Sequence, residues 1–291
     1  MIYVIVGPTG VGKTKLSVSL AKKLNAEIIN ADSMQIFRGL DIGTAKITED
    51  EKEGVIHHLF DIKEPTENYA VYDYQMDARR CIDDILKRGK NVILVGGTGL
   101  YIKACLYDYR FTKETKNDTF DELSNEEILN RLSSYTDEVL VHPNNRKRLV
   151  RLLNQYINDS IPEKVGNHPL YDFKIIGLTT NRNILYEKID KRVDIMLQNG
   201  LLEEVKALYD KGIRSKAVMT GIGYKELYSY FDGEVSLEEA ISKIKQNSRR
   251  YAKRQYTFFN HQLPVVWYST NYENFNETIE NVWEGIRIKH E

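Results

Sequence analysis

Cysteine is nearly absent from this chain: two in 291 residues, Cys81 and Cys105. Neither has a CxxC partner or a histidine at ligand spacing, which argues against a disulfide framework and a structural zinc site. Each falls in a segment that reads as helix, so both are expected to be buried thiols. Long apolar runs are also missing, and none approaches the roughly 20 residues needed to span a bilayer. The opening MIYVIVG has no basic flank and soon meets a glycine-rich stretch, which predicts no secretory leader. With 42% hydrophobic and 29% charged residues, the composition predicts a folded, soluble, cytoplasmic protein, monomeric by default. Net charge is lacking too, at -1, but its distribution is uneven. NNRKRLVR (144–151) and SRRYAKRQ (248–255) each carry four positive charges and no negative one. Acidic residues gather in ITEDEKEG and DELSNEE.

Alternation of strand and helix is what the chain does contain. IYVIVG is a short β-branched run ending at glycine. KTKLSVSLAKKL then places Leu16, Leu20 and Leu24 at helical spacing. AEIINADS reads as a second strand ending at Asp32, DYQMDARRCIDDILKRG as a helix stopped by Gly89, NVILVGG as a third strand, and TGLYIKACLY as a helix. This order predicts an α/β fold, a P-loop NTPase-like parallel sheet flanked by helices. From Phe111 to about Leu170 strand-like runs stop, and SNEEILNRLSSY and NNRKRLVRLLNQYI read as helices. The expectation is a catalytic core of residues 1–110 and 171–291, carrying a mainly helical insertion domain at 111–170. FKIIGLTT returns to the sheet, three helical stretches follow, and LPVVWY reads as a last strand.

Between the first strand and helix lies GPTGVGKT: Gly7, Pro8, Thr9, Gly10, Val11, Gly12, Lys13, Thr14. It matches GxxxxGK[ST] at every position and in the required context. Such a loop turns backbone N–H groups toward phosphate oxygens. Lys13 then neutralises the outer phosphate, and Thr14 offers a hydroxyl to Mg²⁺. A phosphate or diphosphate site follows; ATP, its usual occupant, does not. Many P-loop ATPases end a strand in Asp to help hold the metal, whereas NVILVGG ends in Gly96-Gly97-Thr98. The carboxylate available is Asp32, after the second strand. Ligands of open parallel sheets lie beyond the strands' carboxyl ends, so Asp32, Thr98 and the loop should converge. Asp32 read from spacing alone is equally a cap or turn former, and Asp41 and Lys46 share that ambiguity.

Taken in order, GPTGVGKT, ADSMQIFRGLDIGTAK, HHLFDI, LVGGTGLYIKA, HPNNRKRLVR, GIGYKE and AKRQ resemble the motif series of the tRNA dimethylallyltransferases, the bacterial isopentenyl-tRNA transferases. The resemblance runs from Val4 to about Phe259, and several of these motifs have no counterpart in ordinary P-loop kinases. It implies transfer of a dimethylallyl group from dimethylallyl diphosphate to N6 of the adenine 3′ of a tRNA anticodon, with diphosphate released. The loop then holds the donor's diphosphate, with Mg²⁺ on Thr14. Asp32 corresponds to the general base, Thr98 to a position near the reacting centre, and Ser33, Met34 and Gln35 to contacts with the adenine and its neighbours. Arg182 and Arg192 fall in the family's R-x-x-L-Y-x-x-I-D-x-R pattern, and one or both should reach the diphosphate, Arg192 being slightly favoured. Phe37, Ile47 and Phe258 stand where the family often has Tyr, Pro and Trp.

A base within an RNA loop must leave its stack to react, and loop recognition combines aromatic stacking with phosphate contacts. In SRRYAKRQ, Arg249, Arg250, Lys253 and Arg254 share one side of a helix, with Tyr251, Tyr256, Phe258 and Phe259 interleaved. With Lys147, Arg148 and Arg151 of the insertion they are candidate contacts to the anticodon stem-loop. His57 and His58, paired and without further ligands, read as structural. A small-molecule kinase or an adenylate (AMP) prenyltransferase would use the same phosphate loop but has little need of the insertion and basic runs. A non-catalytic RNA-binding ATPase sits poorly with a strand ending in GGT.

Overall fold

The computed structural model describes residues 1–111, 118–158 and 167–287. Within the expected insertion, 112–117 and 159–166 lie outside the described residues. The chain divides into two units, Met1–Tyr107 with Pro169–Glu291, and Asp108–His168.

In the larger unit the order begins β1 (Ile2–Val6), α1 (Lys13–Leu24), β2 (Ala26–Asn30), α2 (Glu49–Lys52), β3 (His57–His58), α3 (Val71–Lys87), β4 (Asn91–Val95) and α4 (Gly99–Leu106). The smaller unit contributes α5 (Asn125–Leu132) and α6 (Arg146–Ile157). The larger unit resumes with β5 (Phe173–Thr179), α7 (Arg182–Gln198), α8 (Leu201–Asp210), α9 (Lys216–Thr220), α10 (Tyr224–Phe231), α11 (Leu237–Gln262), β6 (Val265–Ser269) and α12 (Phe275–Arg287). All strand pairs are parallel, in the order β3-β2-β4-β1-β5-β6. The expected α/β sheet is present, with helices on both faces.

The strands alternate between two cores because successive side chains leave a strand on opposite faces. Ile2, Val4, Val6, Val92 and Leu94 join Tyr74, Ile102 and Leu227 in one cluster. Tyr3, Ile5 and Ile93 join Leu16, Leu20, Ile189 and Val282 in the other. Covering both faces requires strands apolar at nearly every position, which is how these segments read.

Five elements escaped the sequence reading: β3, α12 and the short helices α2, α9 and α10. β3 is two polar histidines, invisible as a hydrophobic run, which pair with Ile28 and Ile29 at the sheet edge. α12 follows β6 and buries Ile279, Val282 and Ile286 in the same cluster as α1. Cys105 is buried as expected, but Cys81 is only half-buried on α3. No helix among the described residues is long and apolar enough to cross a membrane.

The smaller unit has its own core of Phe120, Ile128, Leu132, Leu149 and Leu153. Arg146, first residue of α6, donates to the carbonyls of Leu123 (2.7 Å) and Phe120 (2.6 Å). It therefore serves the fold, while Lys147, Arg148 and Arg151 are exposed.

Glu27 on β2 is 2% exposed. It pairs with Arg88, with Lys90 at 2.8 Å and with His58 at 2.8 Å. The Arg88 hydrogen bond, helped by those of Lys90 and His58 and opposed by burial, holds its carboxyl well below the usual carboxylate range. Stability from such a group is present above the unfolded carboxyl value of about 4.3 and is lost as pH falls toward the folded value. Glu27→Gln should therefore cost about 3 kcal/mol in urea unfolding at neutral pH. The gap to the unaltered protein should narrow below about pH 4, and a gap that stays constant with pH would contradict this account.

Candidate active site

β4 lies between β2 and β1, so the residues leaving these three strands are neighbours at one edge of the sheet. They border a cavity of about 410 Å³. After β1 comes the phosphate loop. Gly7 (φ 142°) must be glycine because a Cβ there would lie 2.6 Å from the Leu178 carbonyl oxygen. Gly12 (φ 90°) precedes α1, and its Cβ would strike the Phe275 ring at 2.3 Å. Thr9, Gly10, Gly12, Lys13 and Thr14 line the cavity. Gly7, Pro8 and Val11, the other residues of the loop, are buried. Val11 is buried in the core beneath, and the Pro8 carbonyl accepts the Lys13 Nζ at 2.8 Å.

After β2 the chain turns on Asp32. Its N–H donates to Asn30 Oδ1 (2.9 Å), and its Oδ1 accepts the Met34 N–H (3.0 Å). Both readings of Asp32 thus hold in part. One carboxylate oxygen closes the turn, while Oδ2 carries no hydrogen bond among the described residues and the residue borders the cavity. Ser33, Met34 and Gln35 also line it.

Gly96 and Gly97 follow β4 at close quarters. A Cβ at Gly96 would lie 2.2 Å from the Ala31 carbonyl, and one at Gly97 would lie 2.1 Å from Gln255 Nε2. Thr98 sits beside the turn that carries Asp32. Its Oγ1 accepts the Ser33 N–H (3.1 Å) and its own N–H donates to the Ala31 carbonyl (3.1 Å), so it holds that turn.

Arg192 reaches the cavity from α7 and acts on Lys13. Burial first, then the Arg192 charge, push the Lys13 ammonium down to about 7, with Asp32 pulling it up. Burial likewise lowers Arg192, against the attraction of Asp32. Two desolvated cations side by side are suited to an anion, which would relieve both penalties. Arg182, about 15 Å earlier along the same helix, is exposed, and its Nε donates to the Tyr186 hydroxyl at 3.0 Å. It is not among the cavity residues.

On α11, Arg254 borders the cavity and Arg250 and Lys253 are exposed. Arg249 departs from the expected row. Its Nη1 is bound to both carboxylate oxygens of Asp190 at 2.5 and 2.6 Å, tying α11 to α7.

Several lining residues carried no assigned role in the sequence. Ile189, Val193 and Met196 present an apolar wall from α7, and such spacing reads simply as core. Gly221, Ile222 and Tyr224, from the GIGYKE motif, form another side. His57 also borders the cavity; its Nδ1 lies 2.8 Å from the Val55 carbonyl. Gln255 is buried, accepts the Thr9 N–H (3.2 Å) and donates to the Gly97 carbonyl (3.0 Å), so it joins the phosphate loop to the end of β4.

A phosphate loop with two cations, an apolar wall and a carboxylate defines a P-loop-fold transferase, in which a group carried on a phosphate meets an acceptor. Residues 35–262 match the family model described as IPP transferase. A tRNA dimethylallyltransferase of Geobacillus thermodenitrificans is 49% identical, over 99% of this chain and 96% of the relative. The tRNA isopentenylpyrophosphate transferase structure from Bacillus halodurans superposes with a TM-score of 0.78 at 43% identity, covering 98% of this chain and 95% of that one. The corresponding Staphylococcus epidermidis structure gives 0.76 at 40% identity, covering 99% of both chains. The chain belongs to the IPP transferase family.

The Gln255 bridge predicts coupled substitutions. Gln255→Ala and Gly97→Ala should each cost about 1–3 kcal/mol in denaturant unfolding, since each strands polar partners. The double variant should cost less than their sum, because Gln255→Ala removes the obstacle to a Cβ at Gly97. Strict additivity would count against the bridge.

Proposed function

We infer that this chain prenylates tRNA, transferring a dimethylallyl group from dimethylallyl diphosphate to N6 of the adenine 3′ of the anticodon. The observation that carries this reading is the single cavity holding Lys13 and Arg192, an apolar wall and the free Oδ2 of Asp32, in a chain of the IPP transferase family. The phosphate loop, Lys13 and Arg192 take the diphosphate, whose negative charge grows as the allylic C1–O bond breaks. The adenine N6 forms the new bond to C1, the C1–O electron pair leaves on diphosphate, and the N6 proton passes to Asp32.

Mg²⁺ fits this arrangement through Thr14, whose side chain faces the cavity without a hydrogen bond of its own among the described residues. Those residues include no cluster of three His, Cys, Asp or Glu able to hold a metal alone. Thr14 would be the residue that holds the ion, which would neutralise the leaving group when bound.

The adenine has to be extruded from the RNA loop to enter. Arg254 at the cavity rim, exposed Arg250 and Lys253 on α11, and Lys147, Arg148 and Arg151 on α6 are suited to RNA phosphates. The protein acts as a cytoplasmic monomer on this reading. A hydrolytic ATPase is disfavoured because β4 ends in Gly96-Gly97, packed against Ala31 and Gln255, with no carboxylate.

The direct test supplies labelled dimethylallyl diphosphate, Mg²⁺ and unmodified tRNA. Label should appear on the adenine 3′ of the anticodon, and unlabelled RNA would sink the proposal. Asp32→Asn keeps an acceptor for the Met34 N–H but removes the base. Turnover should fall about 10²–10⁴-fold while tRNA affinity changes less than about threefold. Full turnover in this variant would take Asp32 out of the chemistry.

A further inference from the structure

Nothing in the sequence distinguishes Glu204 from the other acidic residues of α8. In the structure its carboxylate takes four donors. Oε2 accepts the N–H groups of Asp41 (3.0 Å) and Ile42 (2.7 Å), and Oε1 accepts the Gly43 N–H (3.0 Å) and the Tyr224 hydroxyl (2.7 Å). Three consecutive peptide N–H groups turned inward make a concavity for negative charge, and this carboxylate fills it. Gly43 is required there, because a Cβ would sit 2.6 Å from the Tyr224 hydroxyl.

The residues so held are not remote from the chemistry. Gly43, Thr44 and Ala45 line the cavity, as does Tyr224 with Gly221 and Ile222 before it. The ends of the loop have their own ties. Lys46 Nζ donates to the Phe37 carbonyl (2.7 Å), Asp41 (2.6 Å) and Asp61 (2.5 Å), and Gln35 Nε2 donates to the Thr44 carbonyl (3.0 Å). The middle is fastened from outside by Glu204.

We propose that Glu204 is a positioning residue for the acceptor side of the site, locking residues 41–43 and, through Tyr224, the segment from Gly221 into one wall. The wall is continuous with Met34 and Gln35, next to Asp32, and its assignment to the acceptor rests on the function inferred above. The donor side is secured separately. Gln255 holds the Thr9 N–H, the Thr270 hydroxyl donates to the Val11 carbonyl (3.1 Å), and the Tyr272 hydroxyl donates to the Gly10 carbonyl (3.2 Å). None of these contacts involves Glu204, so its loss should loosen the acceptor wall and spare the donor loop.

The test is Glu204→Gln, which keeps the volume but turns an N–H₂ group toward donors that need an acceptor. In the full-length variant, hydrogen exchange at the amides of 41–43 should quicken by about 10–100-fold, the loss expected for hydrogen bonds to a charged group. KM for tRNA should rise about tenfold, with KM for dimethylallyl diphosphate within about twofold of the unaltered enzyme. A space-filling role would survive this substitution, so unchanged exchange at 41–43 overturns the proposal, and an equal rise in both KM values overturns the acceptor assignment. One arm needs no variant. In the unaltered protein these three amides should exchange at least about tenfold slower than unstructured ones, and unprotected amides overturn the lock even if Glu204→Gln fails to fold. Should prenyl transfer not be detected, the functional reading falls, while the exchange measurement still decides the role of Glu204.

Discussion

Parallel pairing of β2, β4 and β1 brings their carboxyl ends to one edge of the sheet, and the reactive groups hang from that edge. β1 delivers the phosphate loop, β2 delivers Asp32, and β4 delivers a pair of glycines that let neighbouring backbone come close. A side chain at Gly96 would push β4's exit away from Ala31, and one at Gly97 would displace Gln255. These glycines leave the exit of β4, between the other two strands, narrow enough for the phosphate loop and Asp32 to border one cavity.

Around that edge, the helices supply what the strands cannot. α7 adds Arg192 and an apolar wall, α11 adds Gln255 and Arg254, and α8 adds Glu204. Several of these contacts are polar bonds to backbone, from Gln255 to the phosphate loop and from Glu204 to residues 41–43. Loops with many glycines gain conformational freedom when unfolded, so fixing them takes bonds from rigid elements. Burying Lys13 and Arg192 carries a desolvation cost that lowers both groups, and the Arg192 charge lowers Lys13 further. Strain of that kind at a site is tolerated when a ligand of opposite charge relieves it.

Much of this architecture was legible in the residues. Five of the six strands stood out because a sheet covered on both faces demands apolar runs, and α1, α3 and α11 because their apolar residues recur at helical spacing. β3 did not stand out, since two histidines at an edge owe their conformation to pairing with β2. α12 went unread, though it buries Ile279, Val282 and Ile286 against α1. The phosphate loop was readable from its pattern, but the pattern could not tell lining residues from those turned away, such as Val11.

The sequence by itself determined the loop, the strand–helix alternation, the family resemblance and the residue types available for chemistry. Those depend on local spacing and composition, which a linear string preserves. Tertiary structure alone decided which arginine meets Lys13, that Arg249 is tied to Asp190, that Thr98 holds a turn, and that Gln255 and Glu204 fasten two loops. Each of these depends on partners 59 to 246 residues apart, as between Arg249 and Asp190 or Thr9 and Gln255. No local pattern records such distances. A charge or an amide acquires its role only when folding sets its partner beside it.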